Sequence, residues 1–315
     1  MWRNADVVDF VGWLRAHNDE ASAPVGFYGL DLYSLNASIH AVIDYLSAVD
    51  PEAAERAWRN YGCFDLAGGD VMEYLYTVRL GLHEGCREQV VAELLGLRRR
   101  AADYLRRDGV AAADEFFYAE QNALVAANAE EYYRTMTNAR VSSWNLRDRH
   151  TARTLEYLAA HLERTAGAAK IVVWAHNSHL GDARATDMSL RGELNVGQLM
   201  RERHGAETRN VGFTNYGGTV SASSDWGAPV ERKIARPGLE GSYEALFHDT
   251  GVRNSRCFSR RATSESAACP TICWNARSAS SIGRRPSSAA TTFTRGFRRS
   301  STRPCTSTAH APSSR

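Results

Sequence analysis

Residues 170–179, KIVVWAHNSH, form an apolar run that ends abruptly in two histidines with an asparagine between them. Consecutive apolar residues favour a strand that is buried on both faces, and such strands present functional side chains at their carboxyl ends. His176 and His179 are therefore expected at the mouth of a sheet. Because imidazole is the side chain whose ordinary pKa lies near neutrality, the pair suggests either proton transfer or metal ligation. Spacing alone leaves both open.

A second apolar run, residues 24–32 (PVGFYGLDL), predicts another buried strand, which ends at Asp31. If the two strands are neighbours, Asp31 is a candidate for the acid that fixes the tautomer of a water-activating histidine. The competing interpretation of the histidines is structural. In it, His176 caps the strand by bonding to the backbone and His179 is simply exposed.

Residues 143–150, SWNLRDRH, place an amide, a guanidinium, a carboxylate and an imidazole close together at a predicted helix start. Asn145, Arg147 and Asp148 belong to this group. Arg147 and Asp148 are suited to a pocket that orients hydroxyl or carboxyl groups, because guanidinium offers a planar fork of donors. The alternative is a capped helix with a surface ion pair.

Between the apolar runs at 24–32 and 170–179, from residue 68 to about 164, apolar residues recur at helical spacing with few glycines or prolines. The pattern predicts helices near 70–81, 84–107, 112–137 and 145–164. With a third apolar strand at 210–214, the sequence predicts an α/β fold in which a central mixed sheet is flanked by a large helical layer.

Composition divides the chain near residue 250. The last 65 residues contain twelve arginines, fourteen serines and a single acidic residue, whereas the formal net charge of the whole chain is only +2. Residues 1–250 are therefore acidic and poorly suited to nucleic acid. Residues 251–315 show no apolar period and are predicted to be a disordered tail. We expect that a reading-frame change in the coding sequence explains this tail.

The chain has no apolar run of eighteen residues and no signal-peptide pattern at its start, so we expect a cytoplasmic protein that does not enter a membrane. Only Cys63 and Cys86 lie in the first 250 residues, and reduced thiols are expected there. The sequence also lacks a phosphate-binding loop, a dinucleotide glycine fingerprint and a serine nucleophile elbow. No cofactor is expected, and the oligomeric state is left open.

Several separated motifs together resemble the erythromycin esterase family. They are residues 26–34 (GFYGLDLYS), 143–150 (SWNLRDRH), 173–183 (VWAHNSHLGDA), 192–199 (GELNVGQL) and 212–220 (GFTNYGGTV). The resemblance implies an α/β fold with a central sheet wrapped by helices, and an enzyme that opens a macrolide lactone or a related ester with histidine-activated water. It hence implies a role in antibiotic resistance. It implies that His176 and His179 are catalytic. The positions that would line or brace the pocket are Asp31, Asn145, Arg147, Asp148 and Asn177.

The sequence departs from the family pattern in one respect that concerns activity. Family members carry a Gly-Glu-x-x-His-Gly segment upstream of the first helix, which supplies a general-base histidine, and the present sequence does not contain it. A catalytically inactive fragment is therefore one alternative. A metal-dependent hydrolase that uses His176, His179 and Asp31 is another. The expected partner of an active enzyme is a small-molecule ester.

Overall fold

Helices dominate the architecture. A computed structural model describes residues 4–67, 71–106, 109–136, 140–224, 228–252, 255–258, 273–276 and 290–295. The helices are α1 (Ala5–Glu20), α2 (Leu35–Val49), α3 (Pro51–Tyr61), α4 (Val71–Arg79), α5 (Arg87–Arg99), α6 (Ala101–Leu105), α7 (Gly109–Met136), α8 (Arg140–Ala166), α9 (Asn177–Leu180), α10 (Asp187–Leu190), α11 (Val196–His204) and α12 (Tyr243–Asp249). The predicted helical layer between residues 68 and 164 is thus confirmed, with one long predicted helix divided into α5 and α6.

Side-chain caps fix several helix starts. The Asn4 side chain accepts a hydrogen bond from the Val7 amide, and Asp50, immediately before Pro51, accepts from the Ala53 amide. Ser242 does the same for α12. These bonds satisfy amides that have no partner within the first turn of a helix. All three are residue types that favour the N-cap position of a helix.

The larger apolar core lies among α2, α3, α5 and α7. Val42 and Leu46 of α2 and Val90 of α5 are at most 2% exposed. The residues buried on α2 repeat at helical spacing, so one face of the helix packs inward. Each fully buried aliphatic side chain of this kind contributes roughly 1.5–3 kcal/mol to stability. This core holds α7, against which the site-bearing helix α8 packs.

A three-stranded sheet consists of β1 (Val172–His176), β2 (Thr208–Gly212) and a strand at Ala290–Arg295 that lies between them and pairs antiparallel with both. The α/β class is confirmed, but this sheet is antiparallel where a mixed one was predicted. The expectation that residues 170–176 are buried on both faces is wrong. Val173 packs into a small core with α8 and α11, whereas Trp174 on the other face is 48% exposed.

Residues 24–32 do not form the predicted strand. The segment is irregular, Phe27 is 67% exposed, and Leu32 is the one position in it that is fully buried. A strand needs a neighbour for its backbone groups. The described residues supply no such strand, and the Asn18 side chain instead binds both the amide and the carbonyl of Val25. Asp31 nevertheless reaches the site described below.

Two further strand pairs follow β2 along the chain. Strands β3 (Gly218–Ser223) and β4 (Val230–Ala235) form an antiparallel pair, as do β5 (Ser255–Phe258) and β6 (Cys273–Ala276). The strand at Ala290–Arg295 is β7. Most of the predicted arginine- and serine-rich tail lies outside the described residues, so a domain division at residue 250 and a disordered tail stay predictions.

Cys63 and Cys86 form a disulfide, with their Cα atoms 5.8 Å apart. The expectation of reduced thiols is therefore wrong. The reason is tertiary, because the turn after α3 packs against the start of α5 and brings together cysteines 23 residues apart in sequence. Within the described ranges, no helix combines the length and the hydropathy needed to cross a bilayer.

Candidate active site

Helix α8 supplies most of the polar groups of the site. Trp144, Arg147 and Asp148 recur at intervals of three and four residues, which places their side chains on one face of the helix. That face meets α9 and α11, and the segment at residues 30–32 lies beside it. Helix α8 therefore presents these three side chains towards the short turn that follows β1.

His179 and Asp148 form a hydrogen-bonded pair. The His179 Nδ1–H group donates to Asp148 Oδ1 over 2.7 Å, and the backbone amide of Val196 donates to the other carboxylate oxygen over 3.1 Å. Asp148 is fully buried, whereas the His179 side chain is 16% exposed. Burial raises the pKa of Asp148, against the lowering effect of His179. With Nδ1 protonated, His179 Nε2 is an acceptor, and the described part of the chain gives it no hydrogen-bond partner.

Trp144 fixes the plane of the His179 ring. The two rings stack with centroids 4.5 Å apart and an interplanar angle of 9°. Trp144 Nε1 donates to the carbonyl oxygen of Leu194 over 2.7 Å, which holds the indole in place. The imidazole thus has its rotation limited by a stacked face as well as by the carboxylate at its edge.

Asn145 braces the loop at residues 192–194. Its Nδ2 donates to the Gly192 carbonyl and its Oδ1 accepts from the Leu194 amide, both over 2.9 Å. Since Asn145 is 8% exposed, both amide atoms serve the loop. The same loop carries the carbonyl that anchors Trp144, so Asn145 acts on His179 indirectly.

Asp31 pairs with Arg147. Arg147 Nε and Nη2 donate to the two oxygens of the carboxylate over 2.9 and 2.6 Å, a bidentate arrangement. Partial burial opposes the charge on Asp31, but the hydrogen bonds and charge of Arg147 outweigh it and hold the pKa of Asp31 below its ordinary value. The expected pairing of Asp31 with a histidine is wrong, because the acid that contacts His179 comes from α8. Asp31 therefore contacts Arg147 on the face of α8 that also carries Asp148.

His176 and Asn177 shape the turn that carries His179. His176 is the N-cap of α9, where its Nδ1 accepts from the Ser178 amide over 3.2 Å and contacts Ser178 Oγ at 2.8 Å. Asn177 Nδ2 donates to the Phe213 carbonyl over 3.2 Å. These contacts match the structural interpretation of His176, the capping of a strand end through a backbone bond.

The site contains features that the sequence reasoning did not identify. Arg147 lies over the ring of Tyr33, 4.7 Å from its centroid, and the Tyr33 hydroxyl is 2.8 Å from that of Tyr132. The stack of Trp144 on His179 was also missed. The one sequence signal for this stack is that Trp144 precedes Asp148 by four residues, so the two side chains lie on the same face of α8.

The described side chains do not form a metal site. Among them, no three His, Cys, Asp or Glu residues are grouped so that they could share a metal ion. The proposed ligand set of His176, His179 and Asp31 is therefore not brought together.

Comparison with known proteins gives a consistent family assignment. A sequence model of the family described as erythromycin esterase matches residues 1–295, which extends past the predicted boundary near residue 250. Erythromycin esterase type II from Escherichia coli is 22% identical over 280 residues, covering 82% of this chain and 65% of that protein.

Two solved structures share the fold. A succinoglycan biosynthesis protein has a TM-score of 0.57 and 21% identity, and the match covers 79% of this chain and 57% of that protein's chain. A protein from Bacillus cereus has a TM-score of 0.57 and 15% identity, and the match covers 82% of this chain and 60% of that protein's chain. At such identities the likeness concerns the fold alone. The chain spans less than two thirds of the length of each of these three relatives.

Proposed function

The chain belongs to the erythromycin esterase family, and we propose on that ground that it hydrolyses a carboxylic ester. The ester would be a macrolide lactone or a related compound, and His179 would activate the attacking water. The observation that carries this proposal is the 2.7 Å hydrogen bond from His179 to the buried Asp148. A carboxylate on Nδ1 selects the tautomer in which Nε2 can accept a proton. General-base catalysis needs an imidazole in that state.

The proposed reaction proceeds by direct attack of water. His179 Nε2 removes a proton from water as the oxygen adds to the ester carbonyl carbon. The carbon–oxygen bond to the alcohol portion then breaks, and the imidazolium returns the proton to the departing oxygen. The products are a carboxylic acid and an alcohol, joined in one opened molecule when the substrate is a lactone. Asp148 stays ionised and stabilises the imidazolium between the two transfers.

The remaining candidate residues are proposed to bind the substrate or to position the base. Arg147, held by two hydrogen bonds to Asp31, supplies positive charge next to the dyad, suited to the oxyanion that develops on the carbonyl. His176 fixes the first turn of α9, which carries His179. Asn145 and Asn177 hold the surrounding loops through backbone carbonyls.

The substrate class proposed here follows from the name of the Escherichia coli relative. The Escherichia coli protein is named for erythromycin, a macrolide, so a macrolide lactone is the first substrate to test and antibiotic resistance is the corresponding biological role. The purified full chain is incubated with erythromycin and with a series of simple carboxylic esters. Mass spectrometry then follows lactone opening as the addition of one water.

The deciding comparison uses two histidine variants. His179→Ala is expected to abolish turnover, whereas His204→Ala, which removes a histidine bonded to Glu156 over 2.8 Å outside the site, is expected to retain it. Equal turnover in both variants would remove His179 from the mechanism. A folded wild-type chain that hydrolyses none of these esters would favour the inactive-fragment alternative.

A further inference from the structure

The indole of Trp144 lies on the ring of His179, the base of the proposed hydrolysis, but has no part in the reaction steps proposed for it. The two ring centroids are 4.5 Å apart and the planes differ by 9°. Another stack of this kind, Trp13 on His17, is looser, with centroids 5.5 Å apart and an angle of 16°. Trp13 is 59% exposed and belongs to α1, outside the site. The tighter stack is therefore the one that holds the proposed base.

A single hydrogen bond does not fix the plane of an imidazole. The bond from His179 Nδ1 to Asp148 holds one edge of the ring, but the torsion that joins the ring to Cβ is broad for histidine. Rotation about that torsion moves Nε2, so the direction in which Nε2 accepts a proton depends on the ring plane. The face contact with Trp144 restricts this rotation, because the imidazole cannot turn into the indole without overlap.

The indole is itself held from two directions. Its Nε1–H group donates to the Leu194 carbonyl over 2.7 Å. The next residue, Asn145, fixes the loop that carries this carbonyl, through the Gly192 carbonyl and the Leu194 amide. Because Trp144 and Asn145 are neighbours on α8, this helix sets the position of both the indole and its acceptor. The plane of the imidazole is thus set by α8 as well.

The indole face also favours the charged ring that the reaction creates. When His179 takes a proton from water, the imidazolium lies with its centroid 4.5 Å from that of the indole. An aromatic face attracts a cation at this distance through its quadrupole, and tryptophan does so most strongly. The neutral ring carries no net charge, so the attraction acts mainly on the states of proton transfer. Interactions that are stronger there than in the resting enzyme raise kcat.

We infer that Trp144 is a positioning residue for the proposed ester hydrolysis, in which its indole holds the His179 ring in one orientation and stabilises the imidazolium. The inference rests on the proposed function, because it concerns the same base. It assigns Trp144 an action through His179 and not on the ester itself. Loss of the ring face should therefore lower kcat and leave KM nearly unchanged.

Three tryptophan variants test the inference by steady-state kinetics on the best ester substrate. Trp144→Leu removes the ring face and is expected to lower kcat about 10- to 100-fold, with KM within about twofold of the wild type. Trp144→Phe loses the bond to Leu194 but keeps a ring face, and is expected to restore kcat to within about fivefold of the wild type. Trp13→Leu removes the stack on His17 and should leave both constants unchanged.

Equal turnover in Trp144→Leu and Trp13→Leu would overturn the inference. A Trp144→Phe variant as slow as His179→Ala would also overturn it, because a retained ring face should keep the base in place. Urea unfolding checks that each variant is folded, and the Trp144→Phe comparison decides the matter if the leucine variant is not.

An NMR readout that needs no turnover separates this inference from the proposed hydrolysis. The ring protons of His179 should resonate upfield in the wild type, because they lie over the face of an indole, and should move downfield in Trp144→Leu. Unmoved His179 resonances would overturn the inference. A wild-type chain that shows this shift but opens no ester would contradict the proposed hydrolysis and still support the orientation of the ring by Trp144.

Discussion

The side chains of His179 and Asp148, 31 residues apart in sequence, meet through a single 2.7 Å hydrogen bond from Nδ1 to a carboxylate that is fully buried. One partner comes from a turn after β1 and the other from the middle of α8. Two separate sequence motifs thus converge on one hydrogen-bonded pair.

Replacement of Asp148 by Asn tests the role of the carboxylate in the proposed hydrolysis. The Val196 amide needs an oxygen as its acceptor, so the amide nitrogen of the asparagine would face His179. That nitrogen is a donor and cannot accept from His179 Nδ1–H. The ring is therefore expected to adopt the tautomer in which Nε2 is protonated and cannot take a proton from water. We predict that kcat falls by about 10²–10⁴-fold. Steady-state kinetics on the best ester substrate measure the change.

Glu156→Gln is the control for this variant, because Glu156 also accepts a hydrogen bond from a histidine, His204 Nε2, outside the site. It should leave kcat within twofold of the wild type. Undiminished turnover in the Asp148 variant would show that the buried carboxylate has no part in catalysis.

The close approach of α11 to α9 gives a second prediction. A Cβ atom at Gly197 would lie 2.1 Å from the Gly181 carbonyl oxygen and 2.2 Å from that of Leu180, both backbone atoms next to His179. Gly197→Ala should therefore destabilise the protein by about 1–3 kcal/mol through overpacking. Urea unfolding measures the loss.

Gly12→Ala, at a position with open space around it in α1, serves as the comparison. It is expected to be neutral or to stabilise by about 0.5–1 kcal/mol. If the Gly197 variant is as stable as the Gly12 variant, the two helices do not approach as described.

Several features of the fold and the site follow from local sequence. Helical periodicity identifies the helical layer, and the Asn4, Asp50 and Ser242 caps follow from residue types at helix starts. The motif containing Asp148 and the one containing His179 were both recognised. Their pairing could not be, because it depends on how α8 packs against α9.

The predictions from sequence that the structure contradicts share a physical origin. An apolar run such as residues 24–32 is compatible with a strand, but a strand forms only where a neighbour supplies backbone hydrogen bonds. In the same way, Trp174 is half exposed because α1 covers its face of β1 only in part, through Phe10, whereas α8 and α11 pack against the face that carries Val173. The disulfide between Cys63 and Cys86 likewise depends on tertiary proximity that spacing does not reveal.

His150 makes stability depend on pH. Its pKa is lowered by burial to about 4 in the folded protein, compared with about 6.5 in the unfolded chain. The unfolded state therefore binds more protons between these values, so the contribution of this residue is complete above pH 6.5 and is lost as the pH falls towards 4. The loss should be on the order of 3 kcal/mol.

Unfolding free energies at several pH values between 4 and 7.5 check this prediction. His150→Leu should flatten the slope in that window, whereas His204→Ala should leave the slope as in the wild type. An unchanged slope in the His150 variant would mean that the imidazole is accessible to protons in the folded state.

The disulfide between Cys63 and Cys86 should stabilise the protein. It closes a loop of 23 residues, and closure of a loop this long contributes about 3 kcal/mol by restricting the unfolded chain. Peptide mapping without reductant should recover a linked peptide containing both cysteines. Cys63→Ser should lower the melting temperature under oxidising conditions and have little effect in reductant. Recovery of only the two free thiols would contradict the assignment.

The proton position on His179 tests the central claim most directly. With ¹⁵N-labelled histidine, long-range proton–nitrogen NMR above pH 8 distinguishes the two neutral tautomers, and the His179→Ala variant assigns the signal. We predict that Nδ1 carries the proton and that Nε2 has the shift of an unprotonated nitrogen. A protonated Nε2 with a bare Nδ1 would contradict the account, because such a ring could not take a proton from water.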